Sequence, residues 1–166
     1  MITTGYVRTM AEYNAEMNRR IYAGAARLSD EERRRDQGAF FKSLHGTLTH
    51  ILWADRMWMS RFDHWEKPDV VVRDSPTMVQ SFDDLVAERT DADRRISDWA
   101  GRVSQNWLDS DLVWFSGIAQ TELRRNSGAL TMHFFNHQTN HRGQAHALLT
   151  RGGIDPGATD IWAVVA

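Results

Sequence analysis

Four long stretches of this chain place apolar residues three or four positions apart, and that spacing commits each stretch to an amphipathic α-helix with one face to hide. The first carries Tyr6, Met10, Tyr13, Met17, Ile21, Ala25 and Leu28. The second, from about Phe41 to Phe62, carries Leu44, Leu48, Ile51, Trp58 and Phe62, with Asp55 inside the same stripe. A carboxylate there is costly unless it is paired. The third opens at Ser75-Pro76-Thr77, a helix start with proline in the first turn, and runs through Met78, Phe82, Leu85, Ala92, Ile96 and Trp99 to Val103. The fourth extends from Leu130 to Gly153, capped by Asn126-Ser127-Gly128 and ended by Gly152-Gly153.

The connections read differently. Ser29 followed by Glu32 is a capping box, which predicts a short helical turn broken by Asp36-Gln37-Gly38. Asp63 to Thr77 holds two of the three prolines and the run Val70-Val71-Val72, the signature of a long connection across the end of a bundle. From Asp111 to Arg124 the pattern shortens and alternates around Ser116-Gly117, which predicts a β-hairpin. The tail, with Ile161-Trp162-Ala163-Val164-Val165, is too apolar for solvent and is expected to dock on the helices or on a partner subunit. The expected fold is all-α, a four-helix bundle with a short β-hairpin between helices 3 and 4. With 166 residues and no repeat or linker, one domain over residues 1–166 suffices.

A net charge of -2 gives no field for nucleic acid or an anionic membrane, and Arg33-Arg34-Arg35 is flanked by Asp30, Glu31, Glu32 and Asp36, so that run reads as a solvated helix face. No apolar run approaches the ~20 residues of a membrane span and no signal peptide is evident, so the expectation is a cytoplasmic protein. The absence of cysteine excludes disulfides, thiolate zinc sites and a cysteine nucleophile, leaving histidine as the ligand for any borderline-soft metal.

Histidine is concentrated in the fourth helix. His133, His137 and His141 stand at i, i+4 and i+8, where rings on adjacent turns meet, whereas chance placement of seven histidines gives only about 0.3 pairs spaced by four. A bundle builds a metal site from facing helices, so a third ligand is sought elsewhere, and His50 near the middle of helix 2 is the best placed. Spacing does not choose between His133 with His137 and His137 with His141. The zinc-protease pattern is excluded, because the glutamate that would stand between the pair is missing. His45, His64 and His146 have no such company and read as surface or supporting residues.

The segment Thr47-Leu48-Thr49-His50-Ile51-Leu52-Trp53-Ala54-Asp55-Arg56-Met57-Trp58, together with Asn136-His137-Gln138-Thr139-Asn140-His141-Arg142-Gly143-Gln144-Ala145-His146, resembles the DinB/YfiT-like family of metal-dependent bundle proteins. The likeness covers nearly the whole chain, and the second motif is its specific part. In that family one histidine from helix 2 and two, four residues apart, from the last long helix bind a divalent ion, zinc or nickel. The resemblance carries these roles to His50, His137 and His141 and moves His133 beside the site. One departure is Asn140, where many relatives have another histidine; it is expected to point off the ligand face. The resemblance implies a thiol-dependent transferase or isomerase acting on a small molecule with a low-molecular-weight thiol, and a homodimer. Metal-assisted hydrolysis stands second, and a non-catalytic metal- or ligand-binding stress protein third.

Two further expectations concern the surroundings. Asp55 and Arg142 are expected either to form a buried bidentate pair tying helix 2 to helix 4, or to act apart, Asp55 orienting a ligand histidine and Arg142 facing solvent. Trp58, two turns past His50, is a candidate to line the substrate pocket.

Overall fold

Hiding the four apolar stripes from water organises the structure, a computed structural model that describes residues 1–117 and 119–165. Ile118, in the turn of the expected hairpin, and Ala166 lie outside the described residues. The chain is 65% helical with a small two-stranded antiparallel hairpin. The long helices are α1 (Thr4–Ala25), α3 (Leu44–Phe62), α4 (Phe82–Arg102) and α6 (Ser127–Arg151), with short helices α2 (Asp30–Arg34), α5 (Gln105–Asp109) and α7 (Ile161–Val164) between or after them. Each long helix has a side-chain N-cap: Thr3, Ser43, Ser81 and Asn126 accept from the amides of Tyr6, Gly46, Asp84 and Ala129 respectively. α1 packs against α4 and α6, and α3 packs against the same two. Leu48, Ile51, Leu85, Ile96, Phe134, Phe135 and Leu149 fill the space between them and are buried almost completely.

The boundaries depart from expectation at two starts. Ser75-Pro76-Thr77 belongs to a 3-10 turn over Val72–Thr77, closed by Asp74 N to Val71 O and Met78 N to Ser75 O. The stronger cap, Ser81 with Asp83 and Asp84 in the first turn, starts α4 at Phe82 and leaves Met78 outside it. Ser43 likewise starts α3 at Leu44, so Phe41 falls in the preceding turn. The capping box of Ser29 and Glu32 forms as expected and begins α2.

The hairpin pairs β1 (Asp111–Ser116) with β2 (Thr121–Asn126), Asp111 opposite Asn126 and Ser116 opposite Thr121. It lies between α5 and α6, because Ser104 caps a short helix that the apolar pattern does not reveal. Arg33 is not solvated: it caps the carbonyls of Ala25 and Leu28 and lies 4.1 Å over the Phe82 ring. The tail docks on α1, where Tyr13 donates to Thr159 O at 2.7 Å, while Trp162 of α7 stays 82% exposed.

Asp55 is buried, and both expected arrangements for it fail. Arg89 of α4 donates to one carboxylate oxygen at 2.6 Å and Gln138 of α6 to the other at 2.8 Å. Arg89 also reaches Asp93 at 2.9 Å, and Asn18 of α1 donates to the same Asp93 oxygen at 2.9 Å. Arg142 neither pairs with Asp55 nor faces solvent: Gln138, one turn earlier, takes the α6 side of the carboxylate, and Arg142 is buried toward α1 with Nη2 donating to Thr139 Oγ1 at 3.3 Å.

Removing one partner from a buried charge network leaves the others unpaired. Arg89→Met is expected to lower stability by about 3–5 kcal/mol in urea unfolding. Arg102→Met, which breaks the solvent-screened surface pair with Asp63, is expected to leave the urea midpoint close to that of the wild type.

Candidate metal centre

Helices α3 and α6 run side by side and bring His50 of one against His137 and His141 of the other. One ring nitrogen from each of the three lies within 4.8 Å of the other two. His50 Nε2 and His137 Nε2 are 3.4 Å apart, and two nitrogens each bound at about 2.1 Å to a tetrahedral ion stand roughly 3.4 Å from one another. The same separation suits an N–H to N hydrogen bond if one ring takes the other tautomer.

Hydrogen bonds on the far side of two rings set their tautomers. Ser75 Oγ donates to Val72 O at 2.7 Å, so it accepts from His50 Nδ1 at 2.8 Å and the lone pair of that ring falls on Nε2. Gln144 Oε1 accepts from His141 Nδ1 at 2.9 Å, with the same consequence for His141. Bonds of this kind to the second ring nitrogen orient metal-bound histidines. The donor set is therefore all nitrogen and convergent, which fits a divalent ion.

A tight turn before α3 covers the cluster. Lys42 N donates to Ala39 O and Gln37 N to Lys42 O, both at 2.8 Å, with Lys42 held at φ 65°. The turn lays the Phe41 ring on His50 at 3.8 Å between centres, while Trp53 stacks near the same imidazole at 5.6 Å. His50 and His141 are buried, and His137 is half-buried. Burial first, and then the neighbouring imidazoles of His141 and His137, push His50 down to about 3. Burial, followed by His141 and His133, pushes His137 down to about 4. Both rings are neutral at physiological pH and available as ligands.

The cluster opens on a cavity of about 860 Å³. Phe40, Phe41, Val72 and Pro76 give it apolar walls, and Lys42, Arg73, Asp74, Asn140 and Gln144 give it polar ones. Asn140 thus borders the cavity instead of pointing off the ligand face, since i+3 from His137 lies on the same side of a helix as i+4.

His133 stands outside the cluster, exposed, with its ring centre 5.2 Å from Trp58 and 5.9 Å from His137. Trp58 is not among the cavity residues and packs instead on Phe62, Trp114 and His133. His64 is exposed and His146 half-buried, but His45 is buried and donates from Nε2 to Val79 O at 2.8 Å, holding α3 to the segment before α4. Ser75, Gln144 and Phe41 were not singled out by periodicity. Gln144, i+3 from His141, had a helical signal; Ser75 and Phe41 sit on irregular backbone and had none.

Among known families, residues 1–164 match the model of the DinB family. No curated protein matches the sequence.

The lowered histidines have a consequence for metal-free protein. Below the ordinary value of 6.5 the unfolded chain takes up protons that folded His50 and His137 refuse, so their contribution turns against the fold as pH falls from 6.5 toward about 4 and vanishes above 6.5. Asp93, pushed up to about 6 by burial, works in the opposite direction, so the informative quantity is a difference between proteins. The melting temperature of wild type minus that of His137→Gln is expected to decline between pH 7 and pH 5 and to stay flat from pH 7 to pH 8.

Proposed function

The chain belongs to the DinB family, and from that membership and the convergence of three imidazoles beside a cavity we propose that it is a metal-dependent enzyme, a thiol-dependent transferase or isomerase using a low-molecular-weight thiol. His50, His137 and His141 would hold the ion, zinc or nickel being best suited to neutral imidazole donors. When bound, such an ion supplies Lewis acidity to the oxygen or sulfur that completes its coordination.

The chain's own residues do the rest. Ser75 and Gln144 hold the Nε2 lone pairs of His50 and His141 toward one point. Phe41 shields the His50 ring from water, and Asn140, Lys42 and Arg73 give a bound substrate polar contacts. In the same reading the four long helices form one four-helix bundle domain over residues 1–166, working in the cytoplasm as a homodimer that covers the exposed Trp162 and Ile161.

The convergence of the three ring nitrogens carries this proposal. Metal-assisted hydrolysis stands second, since the same ion could activate water; Asp74, the carboxylate among the described residues lining the cavity, is exposed and lies 3.3 Å from Arg73.

Elemental analysis of protein purified without a metal-affinity column is expected to find about one divalent ion per chain, with little in His50→Ala, His137→Ala or His141→Ala. Turnover of a low-molecular-weight thiol with electrophilic substrates should require that ion. An ion without turnover on thiol or hydrolysable substrates would favour the non-catalytic alternative; no ion, and no rise in melting temperature on adding zinc or nickel, would refute the metal reading. Ser75→Ala, which frees the His50 ring, is expected to weaken metal affinity by about 10–100-fold in competition with a chromophoric chelator.

A further inference from the structure

The sheet stops at two strands, β1 and β2, and a lone pair of strands is marginal in water unless something adds to it. On one face Trp114 meets Trp58 of α3, ring centres 6.1 Å apart. On the other face Val113 and Phe115 stay 38% and 66% exposed, opposite Arg124 and Glu122. β2 is the more open strand: Thr121, Glu122, Arg124 and Arg125 are all exposed.

The register shows which backbone groups of β2 are free. Ser127 N donates to Ser110 O at 2.8 Å, and this pair continues the register that sets Asp111 against Asn126. Facing residues alternate between pairs that exchange backbone bonds and pairs that do not. Trp114 and Leu123 therefore exchange them, whereas Glu122 and Arg124 turn their N–H and C=O groups outward along the edge. The Arg124 carbonyl is met there by Nη1 of Arg125 at 2.7 Å, an exposed side chain that an incoming strand displaces. Thr121–Asn126 holds no proline or lysine and pairs without a bulge, so the usual devices that block edge pairing are missing from this strand.

The same edge matches a copy of itself. An antiparallel pair of β2 strands is related by a twofold axis perpendicular to the sheet, which keeps Glu122 and Arg124 of both copies on one face. Of the registers centred within Glu122–Arg124, centring on Glu122 sets two glutamates against each other and centring on Arg124 sets two arginines, both unfavourable. Centring on Leu123 sets Glu122 against Arg124 of the partner subunit, and Arg124 against the partner's Glu122. Each such pair also exchanges the outward backbone bonds. Phe115 then flanks the ion pair on one side of the row and the partner's Val113 on the other. The β1 edge lacks this match, since centring on Val113 sets Asp111 against an apolar Phe115.

We propose that the outer edge of β2 is a self-association surface, where a second copy of this chain adds its own β2 antiparallel, centred on Leu123, to give one four-stranded sheet. The contact is short, so association is weak and concentration-dependent. It shares no residue with Ile161 and Trp162 of the tail and is independent of any ion at the histidines.

Sedimentation of the full-length chain at rising concentration tests this, in the wild type and in Trp162→Ser, which removes the tail as a contact. Trp162→Ser is expected still to self-associate. In that background Glu122→Arg and Arg124→Glu each set like charges face to face and should weaken association at least about tenfold. The two move net charge in opposite directions, so a loss common to both is not a net-charge effect. Mixing the two single variants, or combining both changes in one chain, restores opposite charges in the same register and should bring association back. These side chains are exposed, so all variants should keep the melting temperature of their parent. The proposal is overturned if Trp162→Ser is monomeric up to about 1 mM, the weak limit of specific binding. It is overturned equally if either single variant associates as its parent does, or if neither the mixture nor the double exchange recovers association.

Discussion

A single buried carboxylate, that of Asp55, sets the arrangement on which the rest of this structure depends. Its two oxygens are taken by Arg89 of α4 and Gln138 of α6, and through Arg89 and Asp93 the network reaches Asn18 of α1. All four long helices are therefore tied to one polar centre inside an apolar core. Such a network adds less net stability than well-packed hydrocarbon would, but it punishes misregistration: rotating any helix by one residue strands a buried charge. Gln138 is the neighbour of His137, and His50 lies on the same helix as Asp55. The contacts that satisfy the carboxylate thus also fix the rotation of the two helices that bear the histidine cluster.

Around that cluster the protein accepts an electrostatic cost. Burial opposes protonation of His50 and His137, and the hydroxyl of Ser75 and the amide oxygen of Gln144 are committed to holding the rings of His50 and His141. The covering turn adds a non-glycine residue, Lys42, at positive φ. Local compromises of this kind gather where geometry serves chemistry more than stability.

Period 3.6 was enough to place the four long helices, because amphipathic stripes follow directly from which residues must leave water. The capping box at Ser29 and the alternation of the hairpin were legible for the same local reason. The convergence of His50 with His137 and His141 was legible only through likeness to a family, since spacing alone left His133 equally eligible. Asp55 announced itself as a buried charge needing a partner, but nothing local distinguished Arg89 from Arg142. That choice depends on how α3, α4 and α6 are rotated against each other, a tertiary fact to which helical period is blind. Ser75 was hidden for a different reason. Its Ser-Pro context is a sound helix start, and a 3-10 turn followed by the better cap at Ser81 overrode it.

The histidines that meet across α3 and α6 come from distant parts of the chain: His50 and His137 are 87 positions apart. In a small zinc finger the ligands lie close in sequence, so the ion can gather them before the rest of the chain is ordered. Here an ion arriving early would find its ligands far apart in a coil, and closing so long a loop costs conformational entropy before any coordinate bond repays it. The cluster is therefore assembled by the collapse of the helices, and whatever spans it afterwards acts as a clasp on a finished fold, slowing its opening more than hastening its formation.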